Sequence, residues 1–492
     1  MSIKFNLILI LFTIGLLNGI NCSNAFELTI TVKTIQPNVV YVDDDFNPST
    51  PGWGYDHFDN IQDAVDNVSD YGIVNIYYGT YNVFKVQHRS DIIIKSVDSI
   101  MSIIMGNQIA IDELVNPPTA VKCVIFMNNS INIELNRLNI QGNGLDGRSY
   151  AVFYNNSSGK INNCVISPNQ KGNMNSLGIR AQCNSTLSIE NSTIQNYGRV
   201  GIYCRTGTNL NVYKNKIIGQ VYTTSDGDFV SYGIEVEDLQ SASNATIRYN
   251  DIYNHNYIGN PSWSSAGIII DIWRYYEVTS DKCSAIIEYN NIYYNMIGLQ
   301  IIPNENIHVN LNKIYNNTDF GAVSDPYWDG TKYIYENLDA INNWWGDATG
   351  PYHPSTNPNG TGNEITDYVN YYPWIENYLP TIKIVNPQPG FLYLNILDWF
   401  EIKFPFIVTL IIGKSNIETT VTAGLYEIEK VEFYIDENKK FTDYNEPYLW
   451  TWNELIPFFT YIIKVIVYDV NGFQTTDTIK VWKCQYIMSE EI

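Results

Sequence analysis

The stretches "SNATIRYNDIY" (Ser243–Tyr253) and "SAIIEYNNIYY" (Ser284–Tyr294) repeat one pattern. Apolar and polar residues alternate, which is the period of a half-buried strand. A short polar residue, any residue and an aliphatic one follow. That phrase recurs at Asn136–Leu138, Cys164–Ile166, Ser192–Ile194, Asn215–Ile217, Asn250–Ile252, Asn290–Ile292, Asn312–Ile314 and Asp339–Ile341. A second phrase, a small residue before an aliphatic one, interleaves with it at Ala151–Val152, Gly178–Ile179, Gly201–Ile202, Gly233–Ile234, Gly267–Ile268, Gly298–Leu299 and Gly321–Ala322. The tightest spacings are 22 residues (Asn290 to Asn312) and 23 (Ser192 to Asn215); the longer ones read as loop insertions. A unit of a few short strands cannot bury its apolar face alone, and stacking copies solves that.

In such a stack, equivalent residues lie about 4.8 Å apart along the axis. Asn tolerates the left-handed backbone of a tight turn, and its amide can bond to the same amide in the next coil. Asn136, Asn215, Asn250, Asn290 and Asn312 are therefore expected as rungs of a ladder, with Cys164, Ser192 and Asp339 replacing Asn.

This pattern resembles the right-handed parallel β-helix, the pectate-lyase-like fold of NosD-like and other archaeal and bacterial surface proteins, over residues 38–377. "YVDDDFNPSTPGWGYDHFDNIQDAVDNVSDYGIVNIYYGTYN" (Tyr41–Asn82) looks like the N-terminal cap of that group, placing a cap at 38–80. Within it "NIQDAVDNVS" should be a short amphipathic helix with Ile61, Ala64 and Val65 inward. "NNWWGDATGP" (Asn342–Pro351) resembles the closing segment, placing a cap at 342–377. Trp344 or Trp345 should then plug the open end of the core, where a bare strand edge invites aggregation. The other use of such aromatics is a platform for sugar rings.

From Tyr378 the repeat is gone. "IEKVEFYID", "PYLWTWNEL", "TYIIKVIVYDVNG" and "DTIKVWK" are short strands between turn signals. They predict a β-sandwich over 378–484 that resembles immunoglobulin-like modules. "FPFIVTLII" (Phe404–Ile412) reads as a buried strand, being too short to span a membrane. The fold class expected is all-β, a β-helix followed by a small sandwich.

Lys4 and the apolar run Phe5–Leu17 read as a signal peptide over 1–25, so the protein is expected to be secreted or held at the cell surface, with no other membrane anchor. Cys22 lacks the small preceding residue of a lipoprotein site. Six cysteines follow, widely spaced and without a CxxC pair, fitting buried small hydrophobes or one disulfide. Sequons such as Asn67, Asn191, Asn316 and Asn359 would permit glycosylation. The net charge of −22 argues against nucleic acid as a partner.

Fold does not decide function. The strands after the Gly-Ile phrases should point Arg180, Gln182, Tyr203, Arg205, Glu235, Glu237, Ile269, Asp271, Gln300 and Ile302 outward. Tyr203, Arg205, Glu235, Glu237 and Asp271 are the candidate substrate-binding row, with Glu237, Asp271 and Arg205 the candidate catalytic groups. Glu237 and Asp271 are also the candidate ligands for Ca²⁺; no cofactor is required. The plain alternative is a solvated face crossed by weak ion pairs. "DDDFNP" (Asp43–Pro48) reads as an Asx turn or a cation site, and the five histidines show no metal-ligand spacing. The expected function is structural or carbohydrate-binding, with an extracellular polysaccharide or cell-surface component as partner. The alternative is a polysaccharide lyase, glycoside hydrolase or epimerase.

Overall fold

The computed structural model describes residues 36–142, 147–169, 175–223, 230–238, 241–259, 264–270, 282–396 and 400–484. The expected signal peptide lies outside them. Up to Asn370 the strands form three long sheets of 13, 9 and 10 strands, whose pairings are parallel apart from one hairpin. Each coil visits the three sheets in turn: Thr186–Glu190 lies in the first, Thr193–Ile194 in the second and Val200–Cys204 in the third, before Asn209–Tyr213 returns to the first. One apolar interior runs through the coils from Val40 to Val369.

The corner between the first and second sheets holds the Asn ladder. Asn250 Oδ1 accepts from the backbone N–H and Nδ2 of Asn215 at 2.9 and 3.1 Å, while its own Nδ2 donates to Val212 O at 2.8 Å and Asn290 Oδ1 at 2.9 Å. Asn290, Asn312 and Asn343 repeat this, and Cys164 and Ser192 start the series. Two expected rungs are corrected. Asn139 pairs with Val165, which puts Leu138 rather than Asn136 level with Cys164; the Asn136 amide instead donates to Glu134 at 2.8 Å. His308 pairs with Asp339, which puts Asn343 rather than Asp339 level with Asn312.

The Asn residues of the rungs do not themselves take the left-handed backbone. The left-handed residue is the one before each rung: Asn191 (φ 49°), Lys214 (56°), Tyr249 (59°), Tyr289 (59°) and Leu311 (58°). Asn is needed for its amide, and the ladder then holds even tyrosine in a conformation that costs about 1 kcal/mol. The small residues of the second phrase have a steric cause. A Cβ built on Gly178, Gly201, Gly233, Gly267 or Gly298 would come 2.4–2.8 Å from the carbonyl oxygen of the next glycine in the stack.

A second buried ladder runs between the second and third sheets. Tyr197 Oη lies 2.6 Å from His255 Nε2, and His255 Nδ1 lies 2.7 Å from Asn295 Oδ1. Asn295 and Asn317 donate onward to Asn317 and Asn363, each at 3.0 Å. A histidine between a hydroxyl and an amide oxygen is satisfied as a neutral ring, and burial lowers its pKa to about 4.

The ends are closed differently. Helix Ile61–Asn67 covers the first coils with Ile61, Ala64 and Val65 buried, its N-terminus capped by Asn60. At the other end Trp345 is fully buried against the last coils, 3.2 Å from the Cβ position of Gly321. Trp344 turns away and meets Tyr315 and Tyr378 at ring distances of 5.5 and 4.6 Å. So one tryptophan closes the core and its neighbour grips the following chain.

From Thr381 a three-stranded and a seven-stranded sheet, mostly antiparallel, enclose a separate core around Trp452. A seam joins them to the coils: Tyr426 stacks on Tyr249 and Tyr289, and Lys313 Nζ lies 4.1 Å from the Tyr378 ring centre. "FPFIVTLII" is not one buried strand. Phe404 is 40% exposed, Phe406 42% and Ile407 94%, because they lie in an edge strand and the turn after it; only Leu410–Ile412 is an interior strand, with Ile411 fully buried. The six cysteines after residue 36 are free. No helix among the described residues is long and apolar enough to cross a membrane.

A buried acid and base cluster on the third sheet

The third sheet stacks Phe126, Phe153, Arg180, Tyr203, Glu235, Ile269 and Gln300 in one register on its outer side. The alternation predicts their direction, and with it a face turned to solvent. In the structure Arg180, Gln182, Tyr203, Glu235 and Glu237 are buried, and Ile269 and Ile302 with them. Aromatic and aliphatic residues along the sheet build a second apolar cluster here, to which Ala110 and Val121 of the hairpin Gln108–Asn128 and Val230 contribute. Asp271 lies outside the described residues.

Inside this apolar setting the charged groups find one another. Tyr203 Oη donates to Glu237 Oε2 at 2.5 Å, and Arg205 Nη1 donates to Tyr203 Oη at 3.2 Å. Arg199 pairs with Glu235 at 3.0 Å. Asp112, fully buried and delivered by the hairpin, lies 3.0 Å from Arg180, 3.5 Å from Arg148 and 3.8 Å from Arg205. The amides below, Gln182, Asn155 and Asn128, donate one to the next. Asp112, Arg180 and Arg199 join the cluster through tertiary contacts that no spacing in the sequence links. The hairpin that carries Asp112 has no counterpart in the repeat.

Glu237 Oε1 is buried without a donor. Its neighbour is Glu235, so the contact is a hydrogen bond only when one carboxyl holds a proton. Arg199 is the ion-pair partner of Glu235. Burial first, and the Glu235 charge second, push the Glu237 pKa well above the carboxylate range. Among the described residues no group of three or more His, Cys, Asp or Glu is placed to hold a metal. Asp43 Oδ1 instead accepts from the backbone of Asp45, an Asx turn. Chemically, the cluster offers a carboxyl group with a raised pKa, a tyrosine hydroxyl and guanidinium groups. The side chains of Arg148, Arg199 and Arg205 are 33%, 28% and 12% exposed, so guanidinium groups form its solvent-facing fringe.

The first sheet carries a separate shallow groove of about 560 Å³, lined by Ser158, Thr186, Ser188, Asn209, Asn244 and Thr246 among others. Lys160, in the same groove, is paired with Glu190 at 2.8 Å.

The comparison with curated proteins returns no match. Among solved structures, an alginate lyase from Paenibacillus sp. is 12% identical, with 63% of this chain and 95% of that one covered and a TM-score of 0.35. Tailspike protein 2 of an Escherichia coli O157:H7 bacteriophage is 11% identical, covering 91% of this chain and 63% of that one at a TM-score of 0.35. Fibronectin(III)-like modules of Clostridium thermocellum CbhA are 20% identical, covering 24% of this chain and 54% of that one at a TM-score of 0.18. The family model described as "Right handed beta helix region" matches residues 123–274. With the continuous parallel sheets on either side of that segment, the chain is a right-handed parallel β-helix protein.

Proposed function

We propose that this protein is an exported β-helix that binds an acidic extracellular polysaccharide across the outer side of its third sheet, with the antiparallel C-terminal module as a spacer. The observation that carries this reading is the arginine fringe. In a chain of net charge −22, Arg148, Arg199 and Arg205 present guanidinium edges above a rigid, buried network. A uronate carboxylate matches that geometry, and Tyr203 and Glu235 hold the arginines in place. The second reading, cleavage of the same polymer, is favoured by the protonated Glu237 beside Tyr203, an arrangement suited to general acid catalysis.

Titration with uronate and neutral oligosaccharides, alongside assays for new reducing ends and unsaturated sugars, tests both. Arg205→Gln should weaken uronate binding at least about tenfold while unfolding at the parent temperature. Product formation lost in Glu237→Gln with binding intact would establish cleavage. A parent chain that binds no uronate polymer would sink the proposal.

A further inference from the structure

The first sheet ends at Val369–Asn370, the last of its 13 strands. Beside it lies the loop His353–Asn357, closed on itself by backbone hydrogen bonds of 3.2 and 3.1 Å between its two ends. Strand and loop frame an open pocket of about 310 Å³, within the size range of small-molecule sites. It belongs to a different sheet from the arginine fringe.

The polar groups of this pocket are aligned in one direction. His353 is buried, and its Nδ1 accepts from the backbone N–H groups of Thr356 and Ser355 at 3.2 and 3.4 Å, so that nitrogen carries no proton. The Thr356 hydroxyl, 2.9 Å from it, therefore donates, and Tyr371 Oη donates to Thr356 Oγ1 at 2.9 Å. The N–H left on the ring, at Nε2, donates to Asp367 Oδ1 at 3.2 Å. The relay ends on a side chain that is 81% exposed. So exposed a pair contributes little to stability; what it does is fix the direction of an acceptor. The apolar side is fixed as well. Tyr368 and Tyr372 line the same pocket, 47% and 70% exposed. Tyr368 is braced by stacking on Tyr335 at 5.0 Å, and Tyr372 by an edge contact with Trp374 at 5.6 Å.

We propose that this pocket binds a neutral pyranose, with the C–H face of the sugar on Tyr372 and two adjacent hydroxyls donating to Asp367. A braced aromatic beside an aligned carboxylate matches a ligand that is apolar on its faces and hydroxylated round its rim. No Lys or Arg is among the described lining residues, so a uronate would meet the charge of Asp367 uncompensated. The preference is opposite to that of the third sheet, and the two sites stand or fall separately.

Saturation-transfer NMR of the full chain with methyl glucoside, galactoside and mannoside, and titration with tetrasaccharides of the same sugars, tests this. At least one should bind, with saturation concentrated on the C–H protons of one face. Asp367→Ala and Tyr372→Ala should each weaken binding at least about tenfold, and Asp367→Asn, which keeps an acceptor, should lose less. Both side chains are exposed, so these variants should unfold at the parent temperature. Arg205→Gln should leave neutral-sugar binding unchanged, and Asp367→Ala should leave uronate binding unchanged. Binding of none of these sugars, binding that survives both alanine variants, or binding lost in Arg205→Gln would each overturn the proposal. So would choline displacing the sugar at lower concentration than any of the three glycosides, which would mark the pocket as a cation cage.

Discussion

Two of the buried polar systems along this β-helix, the Asn ladder and the charged cluster of the third sheet, solve the same problem in opposite ways. The Asn ladder is neutral and complete: each amide donates to one coil and accepts from another, so nothing is left over. The cluster on the third sheet is charged and incomplete. Glu237 Oε1, Arg205 Nε and Arg199 Nε are all buried without hydrogen-bond partners. Leaving such groups unmatched costs stability, so a structural network has every reason to complete itself. The ladder does so because the repeat returns the same group at each coil. The cluster is assembled from unlike residues, and its imbalance marks it as the place where function can reside.

The sharpest way to break this contrast is at the ladder. Asn250→Leu removes a donor from Val212 O and leaves the N–H and one Nδ2 hydrogen of Asn215 without an acceptor, the other still bonding Ile189 O. It should cost about 4 kcal/mol, the sum of two or three unmatched groups, as read from chemical denaturation.

The second ladder makes an acid-dependent version of the same test. Because the folded pKa of His255 is lowered from 6.5 to about 4, the unfolded chain binds the extra proton first. The stabilisation is whole above pH 6.5 and is lost as pH falls toward 4, by about 3 kcal/mol. His255→Asn should flatten that pH dependence, measured by unfolding at a series of pH values.

At the cluster the sign reverses. The raised pKa of Glu237 means its contribution is fully present below the ordinary Glu value and lost as pH rises through the folded one. Glu237→Gln should therefore be more stable than the parent at pH 8, by about 1 kcal/mol, with the gap closing toward acid pH. A variant less stable than the parent at pH 8 would mean that Glu237 is ionised.

The smallest effect is expected where the ladder chemistry recurs in water. Asn244 donates to Asn209 at 3.0 Å on the exposed side of the first sheet. Asn209→Ala should change stability by less than about 0.5 kcal/mol. The same amide pair is then worth several kcal/mol in the corner and almost nothing outside, with burial as the difference.

The sequence by itself determined the repeat, the three-sheet coil, the inward set of aliphatic residues and the Asn corner, because each depends on a local period that stacking only amplifies. It also held the second ladder in plain view: Asn295 and Asn317 each follow a rung by five residues, though Tyr197 and His255 disguise the series. Its two register errors, at Asn136 and Asp339, arose at the ends of the repeat, where one phrase occurs by accident beside the true corner. Only the tertiary structure decided which face is wet. Alternation gives the side of a strand on which Tyr203, Glu235 and Glu237 lie, but not whether another segment lies over them. Here an inserted hairpin brings Asp112 from outside the repeat, and an apolar surround excludes water. The same holds for "FPFIVTLII": its composition asks for burial throughout, but Phe404 and Pro405 end an edge strand with one neighbour, and only Leu410–Ile412 enters the interior of the sheet. Proton positions follow from that contact geometry, which no local period encodes.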